Sequence, residues 1–375
     1  MGGTSGVPPR PCLAQVGQMI PTKRARRVVA VLAVPALFLT ACGSEDSDSS
    51  DDSSPAAEPV ATVSGELDSP PEISVDGDAQ VSDETVVEVV NEGDGAEVKE
   101  GDFVRVDVVG QVMGADMELL NTWASGEQAG GGEEAGGGEE AGGGEEAGGG
   151  EEAGGGETPR QQFVVQVGAE SNLPAPATTP LAGTKTGSRV QVEGPVTEML
   201  GPGATEAGFA EDDGVLWVFD IAETVTVDAT AHAEGEQAAV EEGLPEVATE
   251  GDEAPVITIP EGQDPPGELQ EQVLIEGDGQ EVAEGQGVIA QYIGVTWADG
   301  ATFDSSWERG AASGFQIGTQ SVVAGWDQGL ADNRVGDRVL LVIPPDLGYG
   351  DQETGNGAIP PDSTLVFVVD IIGVV

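Results

Sequence analysis

The sequence predicts an α+β protein in which an antiparallel sheet packed on one short helix occurs twice. Strand-like segments gather in two blocks, 84–227 and 269–375. The blocks also share strings in the same order. Val90-Asn91-Glu92-Gly93-Asp94-Gly95-Ala96-Glu97-Val98 matches Leu274-Ile275-Glu276-Gly277-Asp278-Gly279-Gln280-Glu281-Val282, and Val215–Ile221 parallels Leu365–Ile371. In the second block, Val339, Leu341 and Ile343 alternate with Leu340 and Val342, and Leu365, Phe367, Val369 and Ile371 alternate with their neighbours. Such runs suit a sheet with one well-covered side. Val322, Val323, Trp326 and Leu330 fall on one face of a helix, which Asp332-Asn333 would end.

The elements follow in order. Lys23–Arg27 is a basic stretch, Val28–Leu39 a short apolar run interrupted by Pro35, and Leu39-Thr40-Ala41-Cys42-Gly43 follows. Residues 1–42 therefore resemble a bacterial lipoprotein signal, with translation starting at Met1 or Met19 and the Cys42 thiol as lipid acceptor. The apolar run is too short to span a bilayer. Residues 43–83 are rich in Ser, Asp, Pro and Glu and read as a disordered acidic tether. Within the first block, AGGGEE repeats over 129–157, where glycine makes ordering costly and paired glutamates repel. It reads as a linker insert, with weak calcium binding as the alternative. Residues 228–268 read as a second acidic linker, and 269–375 as the second domain.

Composition narrows the function. The 375 residues carry 69 acidic and 13 basic side chains, a formal charge of −56. Such a chain repels phosphate backbones, so no nucleic-acid partner is expected. Membrane contact needs a covalent or apolar anchor. The single histidine, His232, lies in the second linker, which argues against a Ser-His-Asp triad or a His-rich zinc site. Both cysteines, Cys12 and Cys42, precede the foldable blocks.

The second block contains Gln291-Tyr292-Ile293-Gly294, Ala298-Asp299-Gly300, Phe303-Asp304-Ser305-Ser306, Gly325-Trp326, Gly329-Leu330, Val335-Gly336, Ile343-Pro344-Pro345, Tyr349-Gly350, Ile359-Pro360-Pro361 and Thr364-Leu365-Val366-Phe367. In this order, these strings resemble the FKBP-type peptidyl-prolyl cis-trans isomerase family over residues 269–375. The resemblance implies a curved antiparallel sheet wrapped over a short helix, with a proline pocket between them. It implies catalytic roles for Tyr292, Asp304, Tyr349 and Phe367, and substrate contacts from Phe303, Val322, Val323, Trp326, Ile359 and Arg309. Trp326 would floor the pocket, and Tyr292, Phe303 and Phe367 would wall it. The Val323 N–H and the Tyr349 hydroxyl would meet substrate carbonyls, and Arg309 would pair with Asp304. Ser313 and Ala358 stand where the family often has larger side chains, which bears on substrate and drug preference. Taken singly, Trp326 and Phe367 read as core, and Asp304 as a turn cap.

The implied reaction breaks no bond, so no metal or cofactor is expected. The implied partners are proline-containing unfolded or exported polypeptides and macrolides such as rapamycin. With the Cys42 anchor, the expected location is the extracytoplasmic side of the cell membrane. A binding or chaperone module with vestigial isomerase activity is the alternative. In the first block, Val108 takes the place of Tyr292, Leu120-Asn121 that of Phe303-Asp304, and Trp217 that of Phe367. Its 174–180 stretch has prolines where the helix should form. The first copy is therefore expected to be degenerate, a spacer or a client-holding surface.

Overall fold

The computed structural model describes residues 58–75, 81–113, 117–124, 160–249, 251, 253–355 and 357–375. The signal segment with Cys42, most of the first tether outside 58–75 and the Gly/Glu repeat lie outside the described residues.

The strands before and within the first copy are β1 (Ala61–Ser64), β2 (Glu72–Val75), β3 (Val86–Asn91), β4 (Phe103–Met113), β5 (Met117–Asn121), β6 (Phe163–Gln166), β7 (Arg189–Pro195) and β8 (Gly214–Val225). Two single-turn helices accompany them, α1 (Ala175–Thr178) and α2 (Val196–Met199). The second half comprises β9 (Glu246–Ala248), β10 (Val256–Thr258), β11 (Gln270–Ile275), β12 (Gly287–Thr296), β13 (Thr302–Ser305), α3 (Ser306–Arg309), β14 (Ser313–Gln316), α4 (Ala324–Gly329), β15 (Arg338–Ile343) and β16 (Leu365–Val374).

The two sheets have the same antiparallel topology. Their strand orders are β3-β7-β8-β4-β5, with β6 on β4, and β11-β15-β16-β12-β13, with β14 on β12. Their irregularities coincide as well. Register shifts fall at Val89/Asn91 and Val273/Ile275, at Arg105/Val106 and Ile289/Ala290, and at Gly110/Gln111 and Gly294/Val295. Bulges bend strands and increase twist, so three shared bulges give both copies the same curvature. The repeated Gly-Asp-Gly string has a packing cause. A Cβ on Gly93 would lie 2.2 Å from the Thr186 carbonyl oxygen, and one on Gly277 2.4 Å from that of Val335.

Each copy buries an arginine–aspartate fork between equivalent strands. Arg189 Nε and Nη2 donate to Asp220 at 2.6 Å each, and Arg338 donates to Asp370 at 2.6 and 2.7 Å. The charged groups are almost wholly out of solvent. The fork supplies the bidentate geometry that makes such burial tolerable.

Several features differ from the sequence expectation. Residues 58–75, expected within a disordered tether, form the β1–β2 hairpin, whose Ala61, Val63 and Ile73 pack on Met113, Leu216 and Val218. The 228–268 linker contains the β9–β10 hairpin, and its Val247, Leu244, Ile257 and Ile259 cover Val295, Trp297, Leu340, Val342, Val366 and Val368. Both faces of each sheet are thus covered, rather than one. This explains why β15 is buried along its whole length. The hairpins also complete the forks. Arg189 Nη2 donates to the Ser69 carbonyl (2.7 Å), and Arg338 Nη1 to Thr249 Oγ1 (2.6 Å).

The 174–180 stretch does form a helical turn, because Pro174 is its N-cap and Pro176 sits in the first turn, where a missing N–H costs nothing. Helix α4 is shorter than the apolar spacing suggested. Val323 is its N-cap with extended ψ, Val322 lies before it, and the helix closes at Leu330.

The hairpin gives a direct test. Expressed without 228–268, the second copy exposes Trp297 and its aliphatic neighbours. Full burial of one such side chain contributes about 1.5–3 kcal/mol. The expected result is a Tm lower by more than about 10 °C relative to residues 228–375. Equal Tm values would show that the hairpin does not stabilise the sheet.

The copies meet through β6 and β14. Gln162 N–H donates to Gln316 Oε1 (2.6 Å), Gln161 Nε2 to the Thr319 carbonyl (3.0 Å), and Gln316 Nε2 to the Arg160 carbonyl (3.2 Å). Val164 packs with Phe103, Ile289, Ala312 and Val375 beside them. A Cβ on Gly314 would lie 2.4 Å from Val164, so glycine permits this approach.

Candidate active site

The concave face of the second sheet and helix α4 enclose an aromatic cluster. Tyr292 projects from β12, Phe303 from β13, Phe315 from β14, Trp326 from α4 and Phe367 from β16. Trp326 stands edge-on to Tyr292, Phe315 and Phe367, with ring centroids 5.4, 4.9 and 5.3 Å apart. Phe303 and Phe367 meet edge-on at 5.4 Å. These geometries suit the ring quadrupoles. The rings lie close to the sheet because Gly294 leaves room; a Cβ there would come within 2.7 Å of both Phe303 and Phe367. Likewise Gly325 and Gly329 let α4 rest on Ile343 and Leu341.

A polar rim closes one side. The Tyr292 hydroxyl donates to Asp304 Oδ2 and accepts from Arg309 Nη2 (2.7 Å). Arg309 Nη1 pairs with Asp304 Oδ1, and the guanidinium lies 5.3 Å from the Tyr292 ring centroid. Arg309 Nη2 also reaches Ser313 Oγ at 3.2 Å. The backbone holds this rim in place. Tyr292 N–H donates to Ser306 Oγ (2.7 Å), and Ser305 caps α3 by accepting from Glu308 N–H. The left-handed Gly310 ends that helix with Arg309 in its last turn. Burial, and then the hydrogen bond to Asp304, pushes the Tyr292 phenol pKa well above its ordinary value. The phenol therefore remains a donor at neutral pH. Burial, and then the Asp304 charge, raises that of Tyr349 as well.

Of the residues singled out in the sequence, Tyr292, Trp326, Ile359 and Phe367 belong to one buried cluster, with Phe303, Val322 and Val323 packed against it. Asp304 and Arg309 form the rim. Tyr349 is 38% exposed, close enough to feel Asp304. Its loop is tied back by the Thr354–Ile359 bridge. Three donors in this region have no protein acceptor among the described residues: the Val323 N–H, the Tyr349 hydroxyl and the buried Trp326 indole N–H. The sequence reading missed Phe315, which touches both Tyr292 and Trp326. Its signal was its two-residue spacing from Ser313 on the same strand face.

A family model described as FKBP-type peptidyl-prolyl cis-trans isomerase matches residues 279–372. The FK506-binding protein of Streptomyces anulatus is 43% identical over 122 residues, 32% of this chain and 98% of that protein. This chain belongs to the FKBP family of peptidyl-prolyl cis-trans isomerases. The probable FK506-binding protein of Corynebacterium glutamicum is 38% identical over 120 residues, 32% of this chain and 98% of that protein. FK506-binding protein 1 of Dictyostelium discoideum is 42% identical over 100 residues, 27% and 92% of the respective chains. The FKBP match falls on the second copy, where the aromatic cluster is.

The first copy keeps the FKBP sheet and changes its concave face. Val108 N–H donates to Thr122 Oγ1 (2.9 Å) as Tyr292 does to Ser306, so Val108 stands for Tyr292. Leu120 faces Gly110 as Asp304 faces Gly294. Leu119-Leu120, rather than Leu120-Asn121, therefore take the places of Phe303-Asp304. The one-residue difference follows from pairing across the bulge. Ala177, third after its N-cap, replaces Trp326. Trp217, opposite Gly110, replaces Phe367 opposite Gly294, and a Cβ on Gly110 would lie 2.3 Å from its ring. The indole sits on a strand rather than on the helix, and with Val108 and Leu120 in the places of Tyr292 and Asp304 the Tyr–Asp–Arg rim has no counterpart among the described residues.

Proposed function

We propose that the second copy's pocket catalyses X–Pro isomerisation in polypeptides exported across the cytoplasmic membrane, while the chain is held on the outer side by a lipid on Cys42. The observation that carries this reading is the aromatic enclosure lined by donors without acceptors. An X–Pro amide flips over a barrier of roughly 18–20 kcal/mol because its C–N bond has partial double-bond character. Twisting removes resonance and charge separation. A pocket whose walls are rings rather than water favours the twisted amide over the planar one, which is differential binding.

In this reading the proline ring rests on Trp326 between Tyr292, Phe303 and Phe367. Ile359, Val322 and Val323 close the remaining apolar contacts. The Val323 N–H and the Tyr349 hydroxyl hold substrate carbonyls while the amide turns. Asp304 fixes the Tyr292 hydroxyl, and Arg309 balances the Asp304 charge, so the wall stands without free charge at its edge. FK506, named in the relatives, and macrolides of the rapamycin type occupy the same enclosure.

The uncatalysed exchange takes on the order of tens to hundreds of seconds. The full chain should accelerate refolding of a protein limited by a proline isomer, and a rapamycin-type macrolide should block the acceleration. Absence of acceleration would remove this function. The location has its own test. A labelled fatty acid should be incorporated in cells, and Cys42→Ala should abolish labelling and release the chain from membranes. Membrane retention of an unlabelled Cys42→Ala chain would exclude the lipid anchor.

A further inference from the structure

Strand β14 carries Phe315 and, within the second copy, pairs with β12 alone. Its four residues make a short strand to be held from one side. The other side is met by β6 of the first copy, and the contact is reciprocal. The Gln316 side chain, 2% exposed, behaves as a peptide unit towards residues 160 and 162. It accepts from the Gln162 N–H (2.6 Å) and donates to the Arg160 carbonyl (3.2 Å). In return, Gln161 Nε2 donates to the Thr319 carbonyl (3.0 Å). Val164 fills the space left by Gly287 and Gly314; a Cβ on either would lie within 2.5 Å of it.

The gripped residues lead directly to the pocket. Phe315, next to Gln316, touches Tyr292 and Trp326, with ring centroids 5.5 and 4.9 Å away. Thr319 lies in a turn between Gly318 and Gln320, both with left-handed backbone. A left-handed glutamine is strained and persists only where its surroundings hold it. Asp327 of α4 supplies part of that hold, accepting from the Gly318 N–H (2.7 Å) and the Gln320 N–H (2.9 Å). Thr319 Oγ1 and Ser321 Oγ share a hydrogen bond of 2.8 Å. The turn therefore fixes Asp327, the neighbour of Trp326. It also leads through Ser321 and Val322 to Val323, whose N–H the pocket reading assigns to a substrate carbonyl.

We propose that the first copy braces the isomerase pocket. Gln161 is a positioning residue that holds the Thr319 turn and, through it, Trp326 and the Val323 N–H. The inference rests on the isomerase reading and gives a role to the copy that lacks the aromatic pocket.

The test measures kcat and KM for X–Pro exchange in the full chain carrying Gln161→Ala, Gln161→Glu or Gln161→Lys. Alanine removes the donor, glutamate puts an acceptor against a carbonyl, and lysine restores a donor. A neutral hydrogen bond is worth about two- to tenfold in an equilibrium constant. The alanine and glutamate variants should lose about that factor in kcat. Their KM should stay near the wild-type value, since the displaced groups act on the turning amide. The lysine variant should recover the wild-type kcat. Adding Val164→Ala to Gln161→Ala should deepen the loss. The backbone amide NMR signals of Thr319 and Val323 should shift in the alanine variant and return in the lysine variant. Unchanged kcat in Gln161→Ala and in the double variant would overturn the brace and leave the isomerase reading intact. So would a loss that lysine does not restore, or one that disappears when kcat is expressed per folded molecule. Failure of the wild-type chain to accelerate exchange would overturn the isomerase reading and this inference with it.

Discussion

Asp370→Ala is expected to destabilise the second copy by about 3–5 kcal/mol, the cost of leaving a buried cation without its partner. Asp370 is fully buried, accepts two hydrogen bonds from Arg338 and also takes the Ala233 N–H at 2.9 Å. Its removal strands a guanidinium that is 2% exposed and frees one end of the segment leading to the β9–β10 hairpin. The loss should appear as a lower denaturant midpoint at similar m-value, with faster proteolysis between 228 and 268. The paired change Arg338→Met with Asp370→Leu should recover most of the loss, because apolar side chains of similar volume need no solvation. A change below about 1 kcal/mol in Asp370→Ala would show that the fork is not a structural tie. The equivalent pair Arg189–Asp220 forms the same two-bond fork in the first copy, so Asp220→Ala should destabilise that copy in the same way.

The duplication was legible in the sequence because its cause is local. Gly93 and Gly277 stand where another backbone comes too close for a side chain, and the strings around them therefore keep the same form. The pocket aromatics were legible by resemblance, and α4, though shorter than its apolar spacing, lies where Trp326 placed it. The hairpins were not legible. β9 and β10 are three residues each, and their few apolar side chains are diluted among acids and prolines, so averages over a window read as unfolded chain. What holds them is distant in sequence: the outer faces of β15 and β16 and the buried arginine. For the same reason, the alternation in those strands points to one covered side, and the cover on the other side comes from residues far away in the sequence. The placement of Leu119 and Leu120 also needed the structure. A single bulge separates the alignment of residues from their pairing, and a slip of one residue moves a side chain to the other face of the sheet.

The proposed isomerase reaction belongs to the second copy, in the pocket whose Tyr292 wall is fixed by Asp304 and Arg309. The most direct measurement is kcat/KM for X–Pro exchange in the full chain carrying either Asp304→Ala or Leu120→Ala, which occupy the same register in the two copies. A charge-assisted hydrogen bond contributes about 1.5–3 kcal/mol, so Asp304→Ala should lower kcat/KM by roughly ten- to a hundredfold. Circular dichroism should report an intact fold, since Asp304 is only half-buried. Leu120→Ala should leave kcat/KM at the wild-type value. An unchanged rate in Asp304→Ala, or a comparable loss in Leu120→Ala, would contradict this assignment.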